Sequence, residues 1–540
     1  MKFSGVYHGP RTRIDGEMWG KFVDESIVIS TALGARRMEI FEDFLMPGET
    51  KLDLRAVARL DVRLRDELPT AMTEMNIPTL RSLKYLVLYN VGSQKLSISK
   101  GLMNLRQLDI AYNLLESFPE ELINCPCLEQ IFYEGNPLTT IPKEVIDRGL
   151  RSILLYQRGL GEGVTKCFRM MLFLHGLGGV GKTSLLHALR DSDPFNANRP
   201  STDGIDIVPF KITIDDKMVS YLAQQLSGED LESVLKRLNS KSINDLVGIE
   251  IDFQTHDFAG QEVYYNSHQL FLHDRAIDLV LWDVRRGYSN SGLPFWLNSI
   301  KSGAPKAAVL VIGTRIEEVN LPEIDKGQLQ RDFPQINGFH EVDSRTYKGI
   351  DQLRQTLVLT ALRQTYMGQA VPKKWLALED ALAQPIYKRK GYISWSKFED
   401  VCSACAFSNQ RQMENAADFL HDIGSIMHYS DRDAVISGVA QIVITNKQWL
   451  ADVMKCIISA QSSSKGILTG DELKAMWRDF PLEIHEQLLE LLFKVDLAFA
   501  IPTPAGEERK YMVPCLLSEI PPPEDQITGS LIASCTQRTH

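Results

Sequence analysis

The chain has 540 residues, room for three or four domains, with 44% hydrophobic and 24% charged residues. Its formal net charge of −10 argues against nucleic acid as the main partner. No apolar run approaches the ~20 residues of a membrane span, and the eight cysteines suit a reducing compartment, so a cytoplasmic protein without an integral membrane segment is expected.

Residues 1–59 carry little signal and stay unassigned; Met1-Lys2-Phe3-Ser4-Gly5-Val6 breaks into polar residues at once, unlike a secretory leader. Residues 60–150 are periodic. Leu83-Lys84-Tyr85-Leu86-Val87-Leu88-Tyr89-Asn90, Leu105 to Asn113 and Leu128 to Asn136 share one template. Their period of about 23 residues lies in the leucine-rich-repeat range. Each pattern predicts a short strand on the concave side of a solenoid, with its closing Asn bonding the turn backbone. Phe118-Pro119 and Ile141-Pro142 mark the return segments, and Asp61-Val62-Arg63-Leu64 begins a degenerate earlier repeat. So short an arc either docks a protein partner or caps the domain that follows.

The next segment reads strand, glycine loop, helix. Phe168 to His175 is an apolar run of strand length, and Ser184 to Arg190 is a good helix former. Between them Gly176-Leu177-Gly178-Gly179-Val180-Gly181-Lys182-Thr183 fits Gly-x-x-x-x-Gly-Lys-[Ser/Thr] at every fixed position. The glycines let backbone N–H groups, those of Val180 and Ser184 included, curl around phosphates at a helix N-terminus. Lys182 can reach the β- and γ-phosphates, and the Thr183 hydroxyl can ligate Mg²⁺. Downstream, Ile249 to His256 alternates like a strand and runs into Asp257-Phe258-Ala259-Gly260-Gln261. There Asp257 can hold the Mg²⁺ shell, Gly260 can offer its N–H to the γ-phosphate, and Gln261 can orient the attacking water. Thr202 lies in the loop between the two motifs, where a Thr closes over Mg²⁺ and the γ-phosphate. The intervening runs Met218–Leu226 and Leu231–Leu238 have helical spacing; a surface insertion packed on the sheet edge is expected, with a regulatory flap as the alternative.

Phe258-Ala259-Gly260-Gln261-Glu262, then Tyr264 to Leu272, then the strand Ile277 to Arg285 resemble the Roc GTPase domain of the Roco family. That family implies a COR domain after Roc and often leucine-rich repeats before it. The resemblance covers roughly residues 60–523. On it, the Roc P-loop GTPase domain spans 165–368. An α+β, winged-helix-like COR domain (first half) spans 369–523, and the polar tail 524–540 is expected to be disordered. Val371 to Glu379, Ala416 to Tyr429, Trp449-Leu450, Gly466-Ile467-Leu468 and Val513 to Leu517 carry the COR likeness. The helix from Met413 to Asp422 is acidic and lacks a basic stripe, against DNA binding. The overall fold class is α/β, a P-loop GTPase flanked by a short solenoid and the COR domain.

GTPases read guanine with Asn/Thr-Lys-x-Asp. Here the strand Ala308 to Gly313 ends in Thr314-Arg315-Ile316-Glu317. Thr314 replaces Asn, the Arg315 stem covers the base, and Glu317 departs by one methylene, with Glu318 as the one-residue alternative. Ser344 sits where the family's last base-contacting loop falls. Arg285 and Arg286 could act as arginine fingers in cis or be salt-bridged. Cys402-Ser403-Ala404-Cys405 has no second pair and reads as helix interior. Asp257-Phe258-Ala259 and His273-Asp274-Arg275 mimic kinase motifs without a kinase context, so kinase activity is not supported.

The reading is an Mg²⁺-dependent GTPase with GTP/GDP as bound nucleotide, acting as a switch whose state couples to domain arrangement, with protein partners at the repeats and COR domain. The alternative is a nucleotide-binding scaffold or adaptor with little hydrolysis. Without a second COR half, a monomer is expected.

Overall fold

The computed structural model describes residues 51–53, 84–87, 102–118, 122, 125–138, 141–191, 195–196, 202, 204–260, 268, 271–317, 324–428, 442–458, 466–494, 497–503 and 508–517. Asp61–Leu64, Asn90, Gln261 to Ser267, Glu318 and the tail lie outside the described residues. The chain forms two compact units, 1–163 and 164–540.

In the first unit, β1 (Lys51–Asp53), β2 (Tyr85–Val87), β3 (Gln107–Asp109) and β4 (Gln130–Phe132) make one parallel sheet in sequence order. Leu86, Leu108 and Ile131 stand in register and are buried. The closing asparagines act on the turns as the pattern predicts. Asn113 Nδ2 donates to the Ile110 carbonyl at 2.8 Å, and Asn136 Nδ2 donates to the Ile110 and Tyr133 carbonyls at 2.9 and 2.8 Å. β1 precedes the region read as periodic; Leu52 and Leu54 alone are too short a pattern to announce it. The helices α1 (Lys143–Asp147) and α2 (Leu150–Glu162) close the unit, burying Val145, Ile153 and Tyr156.

The second unit is built on a six-stranded sheet. Its strands are β6 (Arg169–His175), β7 (Ile205–Thr213), β8 (Glu250–Phe258), β9 (Ala276–Asp283), β10 (Ala308–Thr314) and β11 (Ile336–Val342). The order is β11-β10-β9-β6-β8-β7, all parallel except β7, which runs antiparallel to β8. β9 and β10 are buried at every position, as continuous apolar runs in a parallel sheet require. Helix α3 (Lys182–Arg190) follows the glycine loop; α4 (Asp216–Gln225) and α5 (Gly228–Leu238) separate β7 from β8. Also packed here are α6 (Leu293–Gly303), α7 (Lys326–Asp332) and α8 (Ile350–Arg363).

The two inserted helices depart from the expected edge position. Met218, Val219, Leu222, Val234 and Leu238 are buried in the same core as Phe210, Phe253 and Leu357. Arg237 Nε donates to the Met367 carbonyl at 2.8 Å, and Arg363 Nε to Asp230 at 2.9 Å. Their apolar stripes cover the sheet face and grip α8, so they belong to the domain core.

The strands entering and leaving this domain pair with each other. β5 (Val164–Cys167) runs antiparallel to β12 (Gln369–Pro372). Beyond β12 come α9 (Lys373–Leu382), α10 (Pro385–Lys390), β13 (Tyr392–Ser394), α11 (Trp395–Ala404), α12 (Gln410–Asp422), β14 (Ile442–Ile444) and α13 (Lys447–Ile458). A three-stranded sheet of β15 (Ile467–Thr469), β16 (Phe499–Ile501) and β17 (Lys510–Met512) follows, with α14 (Gly470–Met476) and α15 (His485–Lys494). α12 buries Met413, Ala416, Phe419 and Leu420 and packs the Phe419 ring at a 47° tilt against Trp375; it is a core helix. Cys402 is buried in α11, and burial raises the thiols of both Cys402 and Cys405, an unreactive pair.

This region docks on the six-stranded sheet. Met171, Phe173, Ile205, Phe258 and Phe271 share one core with Ile444, Leu450, Met454, Trp477 and Leu488. Ser425 Oγ and Arg169 both reach the Glu379 carboxylate, tying β6 to α9.

Candidate functional site

Three segments meet at the C-terminal end of β6. Gly181, left-handed at φ +101°, caps α3 and turns the loop into the helix. Lys182 is buried and folds back, its Nζ donating to the Gly176 carbonyl at 2.7 Å and the Leu177 carbonyl at 3.1 Å. Thr183 Oγ1 donates to Asp257 Oδ2 at 2.5 Å, and Thr202 Oγ1 donates to the same oxygen at 3.1 Å. The two hydroxyls lie 2.8 Å apart. Thr183, Thr202 and Asp257 are therefore brought together from a helix start, a loop and a strand end.

Asp257 is fully buried, and its Oδ1 has no hydrogen-bond partner among the described residues. Burial pushes its carboxyl up to about 6 against the hydrogen bonds from Thr183 and Thr202 and the charge of Lys182. Burial likewise brings Lys182 down to about 8, opposed by Asp257. A desolvated carboxylate with two hydroxyls on one oxygen and the other oxygen unbonded fits a hard divalent cation, which takes oxygen ligands.

Gly260 lies directly on the glycine loop. A Cβ there would fall 2.4 Å from the Gly178 nitrogen and 2.6 Å from its Cα, so only glycine permits the approach. Gln261 lies outside the described residues.

Thr314 Oγ1 is buried and donates to the Val180 carbonyl at 2.8 Å and the Trp282 carbonyl at 3.1 Å, lashing the end of β10 to the glycine loop. Arg315 has φ +65°, and its Nη2 donates to the Gly179 carbonyl at 2.6 Å. Glu317 pairs with Lys348 Nζ at 2.8 Å. Ser344 is half-buried in the neighbouring turn, where Asp343 Oδ1 accepts from the Arg345 and Thr346 amides at 2.9 and 3.0 Å. Glycine loop, Thr314–Glu317 and Ser344 thus border one end of the sheet. Both arginines after β9 pair with Asp283: Arg285 Nε and Nη2 donate to it at 2.9 and 2.7 Å, and Arg286 Nε lies 4.0 Å from it. Burial raises the Asp283 carboxyl, but the Arg285 bonds and Arg315 outweigh it and hold it below its usual range.

Sequence reasoning missed a buried stack beneath this site. His175 Nε2 lies 2.7 Å from Asp278 Oδ1, both side chains inaccessible to solvent. The His175 ring stacks on Phe258 at 5.1 Å, Phe258 on His268 at 4.1 Å, and His268 on Trp296 at 5.2 Å. The stack props the Asp257–Gly260 segment from below. A polar His and Asp inside otherwise apolar strands were the available signal.

Comparison with known proteins agrees with this architecture. Residues 218–317 match the family model described as "Ras of Complex, Roc, domain of DAPkinase", and residues 372–517 match "C-terminal of Roc, COR-A domain". A Roc domain followed by a COR-A domain defines the class. The chain belongs to the Roco family. The Dictyostelium discoideum protein "Probable serine/threonine-protein kinase pats1" is 30% identical over 403 residues, which is 72% of this chain and 12% of that protein. A "Roc-COR-CHAT protease" from an unknown prokaryotic organism is 25% identical over 471 residues, 82% of this chain and 40% of that protein. The chain spans only 12 to 24% of the length of the first four curated relatives. Among solved structures, "methanosarcina barkeri Roco2 RocCORdC bound to GDP" has the same fold with TM-score 0.51 at 22% identity, covering 66% of this chain and 98% of that one. Among the described residues, no helix is long and apolar enough to cross a membrane.

Proposed function

We propose that the protein is an Mg²⁺-dependent GTPase that cycles slowly between GTP and GDP as a cytoplasmic signalling switch, with its leucine-rich arc and COR domain engaging protein partners. The observation that carries this reading is the convergence of Thr183 and Thr202 on the buried carboxylate of Asp257, beside Lys182. The GDP bound by the Methanosarcina barkeri relative supports guanine nucleotide as the ligand. When bound, the cation supplies charge stabilisation at the terminal phosphates, held by Thr183, Thr202 and the Asp257 shell. Lys182 exchanges its two carbonyl partners for phosphate oxygens. Gly260 presents its N–H to the γ-phosphate, and Gln261 orients the attacking water. Thr314, Arg315, Glu317 and Ser344 border the base. Arg285 is committed to Asp283, so turnover lacks an arginine finger from that position and is slow.

Titration calorimetry with GTP and Mg²⁺ tests the site. Lys182→Ala is expected to abolish binding, and Gln261→Leu to bind normally while slowing single-turnover hydrolysis. Undiminished binding by Lys182→Ala would overturn the assignment, and an unchanged rate in Gln261→Leu would remove that residue from the reaction.

A further inference from the structure

β7 is an edge strand, so its outward-facing N–H and C=O groups have no strand to pair with among the described residues. Gly204 faces inward, its carbonyl accepting from the Ala259 amide at 2.7 Å. Ile205 and Ile207 face outward, and both are met by one side chain of the COR-A domain. Gln448 Nε2 donates to the Ile205 carbonyl at 2.6 Å, and the Ile207 amide donates to Gln448 Oε1 at 3.0 Å. A carboxamide offers donor and acceptor side by side, as a peptide group does, so Gln448 stands in for the missing strand. The next outward residue, Pro209, has no N–H, which leaves Ile205 and Ile207 as the complete pair nearest the Thr202 loop.

Gln448 is held ready for this contact. Its backbone amide donates to Asn446 Oδ1 at 3.0 Å, and Asn446 Nδ2 donates to the Lys388 carbonyl at 3.0 Å, fixing the start of α13. Beneath it, Ile205 is buried in one core with Leu450 and Met454 of α13, and Ile207 packs against that core. Ile205 follows Thr202 by three residues, and Gly204 bonds the segment that carries Asp257 and Gly260.

We propose that Gln448 is a positioning residue for Thr202. The COR-A amide anchors the strand leaving the Thr202 loop, and so sets how firmly Thr202 closes on the cation and terminal phosphate. This inference rests on the GTPase reading above and assigns that site a regulator within the chain.

The test compares the whole chain with Gln448→Met, which keeps length and loses both hydrogen bonds, and with Gln448→Glu, which sets a carboxylate against the Ile205 carbonyl. Release of a fluorescent, non-hydrolysable GTP analogue is followed in Mg²⁺ and in EDTA. Both variants should release it roughly fivefold faster in Mg²⁺, the equivalent of about one net hydrogen bond, and at the parent rate in EDTA, where Thr202 has no cation to grip. Hydrogen–deuterium exchange on nucleotide-free Gln448→Met should show the Ile207 amide losing protection, whereas the carboxylate of Gln448→Glu still accepts from that amide and loses only the bond to the Ile205 carbonyl. Unchanged release in Mg²⁺, equal acceleration in EDTA, or an Ile207 amide in Gln448→Met as protected as in the parent overturns the proposal. If one variant fails to fold, the other decides. A parent chain that binds no guanine nucleotide sinks the GTPase reading instead, and the proposal with it, whatever the exchange of Ile207.

Discussion

Lys348 reaches across from the loop after β11 to hold Glu317 on the loop after β10, with Nζ 2.8 Å from Oε1. The partners are 63% and 36% exposed, so the pair is worth little as stability and exchanges readily with another partner. It nevertheless occupies the carboxylate that the proposed function sets against the base. Glu317→Asp shortens the arm and releases it from Lys348, and Lys348→Ala frees the existing carboxylate. Each is expected to raise the preference for GTP over ATP, by roughly tenfold if one charge-assisted hydrogen bond to the base is gained. A competition assay with both nucleotides checks this. Equal displacement by ATP from the parent chain would sink the guanine assignment.

The His175–Asp278 pair should behave as a buried couple. Each side chain is inaccessible to solvent, and burial raises the Asp278 carboxyl against the pull of His175. Removing one partner strands the other in an apolar interior. His175→Leu alone is expected to cost about 3–5 kcal/mol, and the double variant His175→Leu/Asp278→Leu to recover much of it. Urea unfolding of the four chains in this cycle measures the coupling. Purely additive losses would show that the pair is two independent packing positions.

The glycine loop and the Asp257–Gly260 segment were legible because phosphate chemistry dictates both residue type and spacing over a few neighbours. Thr202 was legible only by its place between them, and its approach to Asp257 depends on β7 and β8 pairing across the α4–α5 insertion. The helices of that insertion were visible in their apolar spacing, but the surface they cover was not, because it is set by α8, far along the chain. Gln448 and Lys447 left no local pattern at all, and the His175–Asp278 pair showed only as two polar residues inside apolar strands, with nothing to join them. Their partners come from distant segments, and a lone Gln, Lys or His on an ordinary helix or strand carries no period. Arg285 could be read either way until Asp283 was seen to claim it.

Lys447 lies beside Gln448 where α13 meets the GTPase sheet. Desolvation, then the nearby charge of Lys388, brings its ammonium down to about 7; burial first, and then the charge of Lys447, lowers His256 of β8 and His273. In the unfolded chain the group titrates near 10.5. Below about pH 7 both states are protonated and the folded chain holds a half-buried cation. Between about 7 and 10.5 only the unfolded state keeps the proton, so this group's penalty shrinks as pH rises through that window. Lys447→Met should therefore raise the melting temperature most at pH 6 and progressively less toward pH 9. A gain independent of pH would mean the ammonium is solvated at the docking face.

Gly260 sits so close to Gly178 that any side chain must lift the loop. The Cβ of an alanine would lie 2.4 Å from the Gly178 nitrogen, against backbone that cannot step aside. In the proposed cycle this amide meets the γ-phosphate and has no role toward GDP. Gly260→Ala is accordingly expected to spare GDP affinity while weakening a non-hydrolysable GTP analogue by about tenfold or more, the loss of a charge-assisted hydrogen bond. Calorimetry with the two nucleotides on the same preparation separates this from general damage to the site. An equal loss for both would place Gly260 in the architecture of the glycine loop, with no part in telling the triphosphate from the diphosphate.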